Sequence, residues 1–135
     1  MLARNALVVF VLSAALGCGA KGPELVPLRG KVTTADGKPL EHATVILHPV
    51  AGGDGPKPRG KASADGSFAL TTLSTGDGAP PGEYRVTVEL WLAGARADDP
   101  PANKLPAKYA KPETSGLTAT VTAGQTELQP IVVKR

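Results

Sequence analysis

The sequence points to an all-β fold, a single antiparallel β-sandwich of about seven strands. Three observations carry this reading. Short apolar/polar alternations recur along the chain, and Gly- and Pro-rich turn signals separate them at the spacing of a sandwich. After residue 17 no segment has a helical period, and 13 Pro and 16 Gly in 135 residues disfavour helices. A closed barrel is the alternative closure.

The first element is Leu28–Val50, two extended runs around a turn containing Asp36-Gly37 and then Pro39-Leu40. Asp-Gly is a strong hairpin signal because Gly takes positive φ without steric cost. Strands are expected over Leu28–Thr34 and Ala43–Pro49. In the second, Val45 and Leu47 share one face and Thr44, Ile46 and His48 the other, and Ile46 suggests cover on both sides. Ala51–Pro58 reads as a flexible loop. Arg59–Ala62 then leads to a second Asp-Gly turn at Asp65-Gly66 and a strand over Ser67–Thr72, with Phe68 and Leu70 inward. A long loop, Ser74–Gly82, ends in Pro81-Gly82, a pair suited to the centre of a type II turn.

The strictest alternation follows, with Tyr84, Val86, Val88 and Leu90 on one side and Glu83, Arg85, Thr87 and Glu89 on the other. β-Branched Val and Thr favour a strand here. Ala93–Ser115 holds four prolines and no strand pattern, and reads as an excursion over the surface. Leu117, Ala119 and Val121 alternate with threonines in the next strand, and Leu128–Lys134 closes the domain. Pro130 belongs at an edge or bulge, since it cannot donate to a ladder.

The N-terminus reads differently. Arg4 precedes an apolar run of 11 residues, Ala6–Leu16, which is short for a membrane span and suited to the core of a signal peptide. The run ends in Ala15-Leu16-Gly17-Cys18, followed by Gly19-Ala20-Lys21, and this resembles the lipobox of bacterial lipoproteins, with Ala15 where that family prefers Leu. The resemblance implies a signal peptide over residues 1–17, lipidation of Cys18 and anchorage to a membrane. Residues 18–27 then read as a tether and residues 28–135 as the domain. Cys18 is the only cysteine, so no intramolecular disulfide is available.

Without residues 1–17 the formal charge falls from +3 to +2, and the remaining cations are scattered, only Lys134 and Arg135 being adjacent. With few aromatics between them they form no stacking surface for nucleic acid, which is excluded as a partner.

Gly30-Lys31-Val32, Asp36-Gly37-Lys38-Pro39-Leu40 and Ala43-Thr44-Val45 resemble the opening of a carboxypeptidase regulatory-like domain. Asp65–Leu70 and Pro81–Val88 resemble that family's later motifs. The resemblance implies a transthyretin-like, or prealbumin-like, β-sandwich. It implies little about chemistry, because the shared residues build turns.

Reactive sites of related sandwiches find no match. Transthyretin-like hydrolases end in Tyr-Arg-Gly-Ser, whereas this chain ends Val132-Val133-Lys134-Arg135. An intramolecular isopeptide could use Lys31 and Glu89, but Leu128–Arg135 contains neither Asn nor Asp. Zinc needs three or four converging ligands, and only His42 and His48 offer imidazoles. Asp54, Asp77, Asp98 and Asp99 lack the spacing of a calcium loop. No motif sets a serine beside a histidine and an acid. No metal, cofactor or catalytic residue is therefore expected. Trp91 lies on the outward side of its strand by parity and is the one candidate ligand surface. Large aromatics are seldom exposed, which favours its packing beneath the Ala93–Ser115 excursion.

The expected protein is a non-enzymatic, lipid-anchored module of the bacterial cell envelope, on its periplasmic or cell-surface side. Its role is structural or protein-interacting, and its partners are the membrane, through the lipid on Cys18, and an envelope protein or glycan. The alternative is a carbohydrate- or peptide-binding module that uses Trp91 and the neighbouring long loops.

Overall fold

The computed structural model describes residues 24–53 and 55–135. Nine strands lie among them: β1 (Arg29–Thr34), β2 (Thr44–Pro49), β3 (Arg59–Lys61), β4 (Ser67–Ala69), β5 (Gly82–Glu89), β6 (Trp91–Leu92), β7 (Ala102–Asn103), β8 (Leu117–Val121) and β9 (Ile131–Val133). A short 3-10 helix covers Ala107–Ala110. The fold is all-β, with sheets ordered β4-β1-β9, β3-β2-β5-β8 and β6-β7. Strands β6 and β7 were not expected, because two residues are too few to show a period. The pairing is also not uniformly antiparallel, since β1 and β9 run parallel, with Val32 opposite Ile131.

The Asp36-Gly37 turn forms, with Gly37 at φ 83° and the Thr34 N–H donating to Lys38 O at 2.8 Å. It does not join β1 to β2 as a hairpin. The returning chain reaches only Pro39, opposite Thr33, and Leu40, whose N–H donates to Val32 O. His42, at φ 67°, then redirects the backbone so that β2 enters the other sheet. There Val45 and Leu47 pair with Val88 and Val86 of β5. All four are fully buried, so the apolar faces of β2 and β5 decide which sheet β2 joins.

One core draws on both larger sheets: Val32, Phe68, Ile131 and Val133 from the first, and Val45, Leu47, Tyr84, Val86 and Val88 from the second. Phe68 links them. Its ring lies over Gly30 of β1 and Gly60 of β3, and a Cβ on either glycine would run into it. A strand glycine here marks a close approach by a neighbouring ring. Val26, expected in the tether, is 6% exposed and exchanges hydrogen bonds with Ala79, so the folded domain begins before Leu28.

Two further expectations change. Gly82 has φ 152°, well beyond the +80° or so of a type II turn, and is already the first residue of β5. The turn before it is held instead by the Tyr84 hydroxyl, which donates to Pro80 O at 2.5 Å. The Ala93–Ser115 excursion is also more than a surface loop. Leu105 and Tyr109 are buried, and Tyr109 Oη accepts the Lys134 N–H at 2.8 Å. This segment fills the space beyond β8, which pairs with β5 only over Gly82–Val86.

Candidate functional site

Trp91 stands where β5 gives way to β6. Leu90, between Glu89 and Trp91, points into the core at 4% exposure, and its backbone is held on both counts: the N–H donates to Asn103 Oδ1 at 3.0 Å and the carbonyl accepts from Lys104 N–H at 2.8 Å. Pairing of Trp91 with Asn103 and of Leu92 with Ala102 continues this support. By strand alternation the side chains on either side of Leu90 project to the opposite face. Trp91 is accordingly 56% exposed and does not pack beneath the excursion. β2 pairs no further than Glu89, so beyond it only the two-residue β7 lies beside Trp91, and no described residue covers that face. The indole Nε1–H donates to Glu89 Oε2 on the same face. Phe68, Tyr84 and Tyr109 are all buried, so Trp91 is the exposed aromatic among the described residues.

Among the described residues Glu89 has no ion-pair partner. The ion pair found among the described residues is Glu41–His42, at 3.5 Å and exposed on both sides. Across the sheet, Glu89 registers with Thr44 and Thr44 with Lys61, which places the nearest basic strand position two strands away.

The remaining candidates are dispersed. His42 sits in the crossover, whereas His48 lies in β2 with Nε2 2.9 Å from Thr87 Oγ1. Burial lowers the His48 pKa below the ordinary histidine value, Lys57 lowers it further, and Glu113 opposes both. Thr87, on the face opposite Tyr84, Val86 and Val88, is buried at 2%. His48 and Ile46 share that face, so the cover suggested by Ile46 is present. A cleft of ≈ 300 Å³ beside them is lined by Ile46, His48, Pro56, Lys57, Arg59 and Thr72.

Lys31 and Glu89 lie in different sheets, on β1 and β5. Asp77 has a structural task that its sequence does not announce. Its carboxylate accepts the N–H groups of Thr72 at 2.7 Å, Leu73 at 2.9 Å and Ser74 at 2.7 Å. These bonds, that of Thr72 foremost, lower its pKa. Asp99 likewise accepts the Arg96 N–H at 3.0 Å inside the loop between β6 and β7. Among the described residues no three His, Cys, Asp or Glu side chains converge as a metal site would require. Asp54 and Cys18 lie outside the described residues, as do the apolar run Ala6–Leu16 and residues 18–23 of the tether.

No family model, no curated protein and no solved structure matches the chain.

Proposed function

We propose that the chain is a non-enzymatic module of the bacterial cell envelope, anchored through a lipid on Cys18, that presents Trp91 as its interaction surface. The observation that carries this is the 56% exposure of the indole on a strand braced by Asn103 and Lys104. A rigid, amphipathic ring held at low entropic cost is the kind of anchor that binding surfaces use. The reading treats the domain as a transthyretin-like β-sandwich of the carboxypeptidase regulatory-like kind. In its support, β4-β1-β9 and β3-β2-β5-β8 share one core, and the quoted Asp-Gly motifs form turns at Gly37 and Gly66. The ligand is a glycan or peptide of the envelope that lies against Trp91 and the β6–β7 loop.

Three experiments test the proposal. Radiolabelled palmitate should enter the protein in expressing cells and should be lost with Cys18→Ser; equal labelling of both forms contradicts the anchor. Envelope glycans and peptides should quench the fluorescence of the single tryptophan. Silence across a broad panel contradicts recognition at Trp91 and leaves a structural role. Turnover of generic ester or peptide substrates, abolished by a single substitution, would contradict the non-enzymatic reading.

A further inference from the structure

We infer that the group received at Trp91 is an organic cation, an alkylammonium or a guanidinium, held between the indole face and the Glu89 carboxylate. The inference rests on the reading of Trp91 as the ligand surface and adds the chemistry of the ligand.

The polar edge of the indole is already used. With Nε1–H donated to Glu89 Oε2, Trp91 has no donor left for a ligand and offers only its π-face. That face carries the negative end of the ring quadrupole, and Trp is the strongest of the aromatic cation acceptors. Donation of the N–H to an anion polarises the ring further in the same sense. Glu89 Oε1 has no partner among the described residues, and neither oxygen of Glu89 is engaged by a basic side chain there. Lys61, in register across β2, is roughly 9–10 Å away, and Lys104, whose backbone bonds to Leu90, makes no ion pair with the carboxylate. A cation placed over the ring and beside the carboxylate meets both sources of negative potential. A neutral ligand reaches the carboxylate only through a hydrogen bond and gains no charge–charge attraction.

The platform is also set in advance. Trp91 and Glu89 flank Leu90, whose side chain is in the core and whose backbone bonds to Asn103 and Lys104. Little ordering is left for the moment of binding.

The test uses the full chain in an uncharged, sugar-free polyoxyethylene detergent, with Trp91 fluorescence as the readout. N-acetyl-arginine amide and tetramethylammonium chloride are titrated against N-acetyl-glutamine amide and a neutral chitin oligosaccharide at matched salt. Both cations should produce saturable changes and compete with one another. Added sodium chloride should weaken them, and Glu89→Gln should weaken them about fivefold. Gln retains an oxygen to accept the indole N–H and loses only the charge, and a thermal melt checks that this variant is folded. The neutral probes should bind more weakly than the cations. Equal or tighter binding of a neutral probe, or cation binding unchanged in Glu89→Gln, overturns the inference while leaving Trp91 as the ligand surface. If no probe of any class alters the Trp91 signal, the inference and the surface reading fall together.

Discussion

Val88 and Trp91 are three residues apart on nearly continuous extended backbone, yet Val88 is fully buried and Trp91 is 56% exposed. The difference teaches that neighbours, and not hydrophobicity, assign the two side chains. Val88 faces the core opposite Val45, at the centre of a four-stranded sheet. Trp91 lies past the last residue that β2 pairs and has only the two-residue β7 beside it. Its indole N–H donates to Glu89 on the same exposed face.

The sharpest way to break this comparison is to place a charge in the buried member. Val88→Asp would leave an unpaired carboxylate in the core, and a loss of several kcal/mol or failure to fold is expected, read by denaturant titration. Next comes the brace before β5. At Gly78, φ 95°, a Cβ would overlap the backbone of Val26, so Gly78→Val should cost about 2 kcal/mol or more in the same measurement. A smaller effect is expected on the covered outer face. Thr87→Val removes the partner of His48 and should cost about 1 kcal/mol. Trp91→Ala should change stability by about 0.5 kcal/mol or less, which is the contrast in its plainest form.

Acid should loosen the fold in two stages. His48 has a lowered pKa in the folded state, so its contribution is complete above about pH 6.5 and declines below it as the unfolded chain takes up the proton first. Asp36, Asp65 and Asp77 are also held below the ordinary carboxylate value, chiefly by hydrogen bonds. Their contribution is present above about pH 4 and is lost as pH falls through their folded values. Melting temperatures between pH 8 and 3 check both stages; His48→Gln should flatten the first, and Asp77→Asn should reduce the second.

The parts of the fold legible in the sequence were those with a local cause. Tyr84, Val86, Val88 and Leu90 are all buried as their alternation requires, because a period of two survives whatever the sheet order, and Thr87 is the departure on the other face. The turns at Gly37 and Gly66 were visible for the same reason. Pairings that depend on distant contacts were not. The departure of β2 at His42 is settled by β5, about forty residues on, and the parallel β1–β9 pair joins segments from opposite ends of the domain. Gly30 and Gly60 beneath Phe68 left a trace, since glycine within a strand signals a close neighbour, but it did not say which. At the candidate site parity correctly placed Trp91 outward, whereas the general tendency of aromatics to be buried argued for cover. The end of β2 pairing at Glu89 decides between them, and that depends on a contact distant in sequence.

The most direct test of that contrast is the solvent access of the single tryptophan. Acrylamide quenching of Trp91 should be nearly as efficient in the folded chain as in urea, with an emission maximum close to that of the unfolded form. A blue-shifted native emission, strongly protected until the chain unfolds, would place Trp91 in the interior and contradict both the contrast with Val88 and the surface built on it.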